Sequence, residues 1–167
     1  MDSELRRLLD KDQIRDVLYT YCRGIDRCDE ALVRSVYHPG ASDDHGTFSG
    51  TAEDFATWVI PVLKRDFAGT MHTLGNILIE LDGDAAHVES YFHAYHRVPR
   101  PAGDRDLIVG GRYVDRFERR AGVWKISART VVLDRSRSEP ATEPWASVDR
   151  FKRGERSRAD FVYRRSS

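Results

Sequence analysis

Two proton-exchanging residues stand at the boundaries of predicted elements: Asp26 ends the first long helix, and His72 opens the first long strand. A histidine that acts as a general base needs its ring held in one tautomer and its protonated form stabilised, and a buried carboxylate does both. If the helix end and the strand start meet, Asp26 can bond one ring nitrogen of His72 and leave the other facing a pocket. Taken alone, each residue fits a structural role better, as an exposed carboxylate or a packed histidine.

Further polar candidates lie on the later strands. Arg129, on the last predicted strand, can stabilise a departing anion or a developing oxyanion, and a role as partner for a surface acid fits it equally well. On the middle strand His93 and Tyr95 share one face, and the alternate residues share the other. We expect one face to line the pocket, with His93 or Tyr95 contacting the substrate and helping the leaving group. Trp58, on a predicted helix, is a further candidate substrate contact.

Metal binding and nucleophilic catalysis have little support. His93 and His96 are three apart in a strand and therefore point to opposite faces, while Asp43-Asp44-His45 is typical of a polar loop. The chain has no Gly-x-Ser-x-Gly motif and no Gly-rich phosphate loop. Cys22 and Cys28 are read as reduced thiols. We therefore expect neither a metal nor an organic cofactor.

The periodicity of the apolar residues predicts helices first and strands afterwards. Asp12 is placed as the cap of a helix that runs to about Asp26, after a short turn that starts at Ser3. A second helix is expected from Glu30 to Val36. A third, capped by Thr51, is expected to run to about Lys64, and Pro61 should kink or shorten it. After His72 the period changes to two, and four strands are predicted: His72–Leu81, Ala85–Val98, Leu107–Glu118 and Val123–Asp134.

This order favours an α+β domain with a curved sheet, covered by the N-terminal helices, that encloses a pocket. Gly110 and Gly111 are expected to mark a bend or bulge in that sheet. The domain is assigned to residues 1–135. Residues 136–167 hold eight Arg and Lys against five acids, and Trp145 is among their aromatic residues, so we expect an extension that packs on the domain or on a neighbouring subunit.

The charge balance excludes some classes of partner. Lys plus Arg and Asp plus Glu each number 27, so no global field would recruit nucleic acid or an anionic membrane. The N-terminal residues lack the apolar core of a secretory signal, and no apolar run is long enough to suggest a membrane span. A cytoplasmic protein that binds a small molecule is the expectation.

Three segments resemble the SnoaL-like branch of the nuclear transport factor 2-like superfamily. They are Tyr21-Cys-Arg-Gly-Ile-Asp26, the stretch Thr70-Met-His-Thr-Leu-Gly-Asn76, and the strand pair from Gly110-Gly111 to Trp124-Lys125. The strand pair is the most specific of the three, and the likeness covers roughly residues 5–135. Within that branch the chain is most similar to the lyases that include lindane dehydrochlorinase and bile-acid 7α-dehydratase.

The resemblance implies a cone-shaped, cystatin-like fold and a cofactor-independent lyase acting on a hydrophobic cyclic molecule. It implies His72 as the base, Asp26 as its orienting partner, and Arg129 with Tyr21 as electrophilic contacts. A homodimer or homotrimer is also implied. An isomerase or cyclase using the same base is the nearest alternative, and a non-catalytic binding or scaffold cone is another. One departure is that the bile-acid enzyme carries a carboxylate on its middle strand where this chain has His93, Ala94 or Tyr95.

Overall fold

The computed structural model describes residues 3–142 and 148–164. In that part of the chain three α-helices pack against one side of a six-stranded sheet, and two short 3-10 turns follow. The helices are α1 Ser3–Asp26, α2 Glu30–Ser35 and α3 Ala52–Asp66. The strands are β1 Tyr37–Asp44, β2 Ser49–Thr51, β3 Gly69–Asp82, β4 Ala85–Val98, β5 Arg105–Arg120 and β6 Val123–Pro140. The 3-10 turns are Val148–Arg150 and Phe161–Tyr163.

The sheet is mixed and open, in the order β2-β1-β6-β5-β4-β3. The long strands β3 to β6 form an antiparallel meander, and β1 joins its edge parallel to β6. The prediction of an α+β cone with helices over a curved sheet is confirmed. A bulge helps to produce the curvature, because the β5–β6 register slips between Gly110 and Gly111, as predicted. A Cβ at Gly111 would lie 2.2 Å from the carbonyl oxygen of Val132, so only glycine permits this close approach.

Both long helices differ from their predicted forms. The first is continuous from Ser3, and Asp12 lies inside it, because no Gly or Pro interrupts the helix-forming residues before Gly24. The third continues through Pro61 to Asp66, so the predicted kink did not end it. Pro61 removes one backbone hydrogen bond, and the buried residues on either side of it, Ile60 and Leu63, hold the helix against the sheet.

Strand β1 was not predicted, because His38-Pro39-Gly40 fits the end of a helix. The structure accommodates this sequence at an irregularity in the β1–β6 register between Tyr37 and Ser42, where Gly40 has a φ of 76°. A proline is tolerated at such a break because no ladder hydrogen bond is required from it. As a result, β1 carries Ala41 and Asp43 into the buried interior.

The C-terminal segment packs back on the same chain. Arg156 donates hydrogen bonds to the carbonyl oxygens of Leu63 and Phe67, at the end of α3. Arg158 and Tyr163 both donate to the Asp29 carboxylate, each at 2.9 Å. This segment therefore covers the end of the cone where α1 and α3 finish. Trp145, one of the aromatic residues that were expected to dock, lies outside the described residues.

Candidate active site

The end of α1 and the start of β3 bring Asp26 and His72 together. Nδ1 of His72 lies 2.7 Å from Oδ1 of Asp26, and the backbone N–H of His72 donates to Oδ2 at 2.8 Å. The two side chains are only 12% and 9% exposed, for Asp26 and His72 respectively. Because a carboxylate only accepts, Nδ1 carries the ring proton in neutral His72. Nε2 has no hydrogen-bond partner among the described residues and is the basic nitrogen.

The charge of Asp26 suits this role. Burial by itself raises the pKa of this carboxyl, but the side-chain hydrogen bond, charge and backbone N–H of His72 outweigh it. The pKa of Asp26 consequently lies below its ordinary value, and the group is ionised at neutral pH. An ionised carboxylate on Nδ1 both fixes the tautomer and stabilises an imidazolium formed when Nε2 accepts a proton.

A second histidine, which the sequence analysis did not select, contacts this pair. The His96 ring lies edge-on to His72, with centroids 5.5 Å apart, and 4.8 Å from the ring of Phe67. Burial, and then the neighbouring charge of His72, lowers the pKa of His96 to about 4. His96 is therefore neutral at neutral pH, and its Nδ1 is buried without a hydrogen-bond partner in the described part of the chain.

The placement of the middle-strand residues corrects the sequence-based expectation. His72 pairs across the sheet with buried Ala94, so its ring lies on the helix-facing side together with Phe92 and His96. His93 and Tyr95 alternate to the outer side, where the Tyr95 hydroxyl donates to Asp106. The alternation identified the two faces of β4 but not which of them the helices cover. Neither His93 nor Tyr95 therefore shares a face with His72.

Below neutral pH, the free energy of unfolding is expected to depend on the protonation of His96. Its pKa is 6.5 in the unfolded chain and about 4 in the folded protein, so the unfolded state binds more protons between these values. Acidification from pH 7 to 4.5 should therefore cost about 2 to 3 kcal/mol through this group. Urea unfolding should show a smaller loss in His96→Gln, which cannot titrate. Equal losses in the two proteins would contradict a buried neutral His96.

Arg129 is not a surface residue but the centre of a buried stack. Its side chain is fully buried and makes a bidentate pair with Asp115, at 2.8 and 2.7 Å. Its guanidinium lies between the rings of Tyr21 and Tyr113, 4.1 and 4.2 Å from their centroids. Nη1 of Arg129 alone lacks a hydrogen-bond partner among the described residues. The two N–H groups of Nη1 are thus unpaired within the described part of the chain.

Tyr21 is held by a further polar group. Its hydroxyl lies 3.0 Å from Nε2 of His45, and Nδ1 of His45 is paired with Asp43. The hydroxyl of Tyr37 donates to the second oxygen of Asp43 at 2.6 Å. The interpretation of Asp43-Asp44-His45 as a polar loop is therefore wrong: Asp43 is buried in β1, and the sequence offered no periodic signal for that strand.

Trp58 lies away from the Asp26–His72 pair. It is half-buried on α3, and its ring contacts Phe48 at 5.2 Å and Phe55 at 6.2 Å. The Phe55 ring stacks on His45 with a centroid distance of 4.4 Å. Trp58 therefore belongs to an aromatic wall beside His45 at the β1–β2 hairpin.

The interior between the sheet and the helices is largely filled by the Tyr21, Arg129 and Tyr113 stack. A cavity of about 500 Å³ opens at the end of the cone near α3. Its lining includes Phe67 but neither His72 nor Asp26. Ring contacts lead from this cavity through Phe67 and His96 to His72.

Two other kinds of chemistry gain no support from the described residues. Residues 3–142 and 148–164 contain no group of three or more His, Cys, Asp or Glu placed to hold a metal ion. Cys22 and Cys28 are free and buried. Burial raises the pKa of the Cys22 thiol to about 12, so it is not a thiolate at neutral pH. None of the described helices is both long and apolar enough to cross a membrane.

Comparison with solved structures relates the fold to known proteins. Hexachlorocyclohexane dehydrochlorinase LinA-type3 from Novosphingobium barchaimii LL02 is 20% identical, with a TM-score of 0.75 over 85% of this chain and 100% of that one. A candidate scytalone dehydratase from Novosphingobium aromaticivorans is 22% identical, with a TM-score of 0.70 over 81% and 91%. The Kfla4162 protein from Kribbella flavida is 18% identical, with a TM-score of 0.72 over 78% and 95%. At these identities the likeness shows the fold alone.

The sequence comparisons identify the family. No curated protein sequence matches the chain. The model of the SnoaL-like domain matches residues 6–130, which contain the Asp26–His72 pair and the Arg129 stack. The resemblance noted from the three segments is thereby confirmed, and the chain belongs to the SnoaL-like domain family within the nuclear transport factor 2-like superfamily.

Proposed function

We propose that the protein is a lyase that removes a proton and a neighbouring leaving group from a hydrophobic cyclic small molecule. The observation that carries this proposal is the Asp26–His72 pair, in which an ionised carboxylate holds Nδ1 and leaves Nε2 of the histidine unpaired. The chemistry needs a base and a means of stabilising charge, and neither requires a cofactor. The family and the dehydrochlorinase among the structures of similar fold are consistent with this class.

The proposed step transfers one proton and breaks one bond to the leaving group. Nε2 of His72 takes the proton from carbon, and the C–H electron pair forms the new double bond. The leaving group departs from the adjacent carbon with its own electron pair. Asp26 stabilises the imidazolium, and the unpaired Nη1 of Arg129 is the cationic donor that can receive the developing negative charge.

A panel of cyclic alcohols, chlorides and enones tests this function. Each compound is deuterated at the carbon that would lose the proton, and products are followed by mass spectrometry. Elimination should release the leaving group and lose the deuterium, with a primary isotope effect if proton removal limits the rate. A product that keeps the leaving group and has a shifted double bond would instead indicate an isomerase. Binding without turnover of any compound would favour a non-catalytic cone.

We also propose that the protein assembles into a homodimer or homotrimer through the outer face of the sheet. Large apolar side chains are exposed on its strands, where a monomer gains nothing from them. They include Met71, Leu78, Tyr91, Val114 and Leu133. Light scattering on the purified protein distinguishes these assemblies, and a monomer at micromolar concentration would contradict the proposal.

A further inference from the structure

A second histidine–carboxylate pair lies in the interior, apart from the Asp26–His72 pair. Asp43 accepts from Nδ1 of His45 and, at 2.6 Å, from the hydroxyl of Tyr37. On the other side of the imidazole, Nε2 lies 3.0 Å from the hydroxyl of Tyr21. We call Asp43, His45 and Tyr21 the inner relay. It links a buried carboxylate, an imidazole and a phenol through consecutive hydrogen bonds.

The inner relay has the properties of a proton donor that can take up a new proton from solvent after each turnover. The carboxylate of Asp43 is fully buried, whereas the His45 side chain is 20% exposed, so its ring can exchange protons with solvent. Burial raises the pKa of Tyr21 above its ordinary value, which keeps the phenol protonated. Phe55 stacks on the imidazole and holds it in the plane that reaches both partners. The β1–β2 hairpin places Asp43 and His45, whereas α1 places Tyr21 and α3 places Phe55.

The inner relay and the Asp26–His72 pair both lie on the side of the sheet that the helices cover. The Tyr21 ring contacts Tyr113 at 5.6 Å, and Tyr113 stacks on Phe92 at 4.5 Å. Two residues beyond Phe92 on the same face, Ala94 pairs directly with His72. Tyr21 is also on α1, five residues before Asp26. A substrate held between these two groups would have a base at one end and a protonated donor at the other.

We propose that the inner relay is the general acid of the same reaction and protonates a poor leaving group as it departs. The inference rests on the proposed function and assigns its second proton. In the charged state, Nε2–H of His45 donates to the Tyr21 oxygen, and the Tyr21 proton passes to the departing hydroxyl oxygen. His72 gains the proton from carbon, His45 loses one, and the products are an alkene and water. Exchange with solvent restores both histidines. Two titratable centres with different partners divide the acid and base roles.

Leaving-group dependence tests the inner relay. Two substrates with the same ring are compared, one losing hydroxide and one losing chloride, because chloride departs without a proton. His45→Gln should slow loss of the hydroxyl by about 10²–10³-fold and loss of chloride by less than about threefold. His38→Gln is the matched control: it replaces a buried histidine on β1 whose ring, among the described residues, bonds the carbonyl oxygen of Glu118. It should not discriminate between the two substrates.

Each result decides between the two proposals. If His45→Gln slows both substrates equally, or neither, the inner relay is not the acid, while the proposed function stands as long as His72→Ala slows both. If the parent protein eliminates neither group, the proposed function is wrong, and so is the proposed role of the inner relay as general acid. Should His45→Gln not fold, as judged by circular dichroism, Tyr21→Phe replaces it. That variant keeps the ring stacked on Arg129 and should show the same selectivity for the hydroxyl substrate.

Discussion

Replacing His72 with alanine is expected to lower turnover by about 10²–10⁴-fold, the usual contribution of a positioned general base. The loss should fall on the chemical step, because proton transfer to Nε2 is felt in the transition state rather than in binding. Asp26→Asn should also be strongly impaired. An amide can keep a contact with Nδ1, but it cannot supply the negative charge that stabilises the imidazolium. Steady-state rates on a substrate found in the panel, together with ligand affinity, measure both variants.

The matched control for this result is His93→Ala. His93 is also a histidine of the sheet, but it is exposed on the outer face of β4, opposite the face that carries His72. Its removal should leave turnover within about twofold of the parent, as expected for a surface substitution away from the site. Equal turnover in the parent and His72→Ala proteins would remove His72 from the mechanism. A large loss in His93→Ala would point to the outer face instead.

Replacing Asp115 with alanine is expected to lower the free energy of unfolding by about 3–5 kcal/mol. The change leaves the fully buried guanidinium of Arg129 without its bidentate partner, and no other described carboxylate bonds it. A buried charge without compensation is far more costly than the loss of one hydrogen bond. Urea denaturation monitored by fluorescence and circular dichroism gives the free energy and shows whether the slope is unchanged.

Two further variants separate the buried charge from a general loss of packing. Asp134→Ala removes an exposed pair with Arg112 and should cost no more than about 1 kcal/mol. A double variant, Asp115→Leu with Arg129→Met, removes both buried charges and should recover much of the stability lost in Asp115→Ala. If the free energy of unfolding of Asp115→Ala lies within about 1 kcal/mol of that of the parent, water reaches Arg129 and the stack is not closed to solvent.

Local pattern was sufficient for the class of fold, and the family resemblance added one part of the candidate site. The change from a helical to an alternating period at His72 predicted helices followed by an antiparallel meander, because each period records which residues must be buried in that element. The glycine pair predicted the bulge for a different reason, because only glycine permits the backbone contact made at Gly111. The pairing of Asp26 with His72 was predicted from the needs of a histidine base and from the resemblance of both segments to the SnoaL-like branch.

The tertiary structure determined the features that the sequence pattern left ambiguous. Alternation along β4 gave two faces, and only the tertiary structure determined that Ala94 and His96, rather than His93 and Tyr95, face inward. Strand β1 has no apolar alternation to reveal it. It forms because its parallel pairing with β6, between distant parts of the chain, supplies the backbone hydrogen bonds.

The same long-range pairing determined the buried polar groups. Asp43 and Arg129 are register partners on β1 and β6, and Asp115 pairs with Arg129 from β5 on its other side. These residues lie far apart in sequence, and their types alone are typical of a solvated surface. The sequence pattern therefore predicted the helices and the meander, and the resemblance to the SnoaL-like branch added the first histidine pair. The buried Arg129 stack and the inner relay depend on the sheet register, because a polar side chain is buried only where its partner from another strand is buried with it.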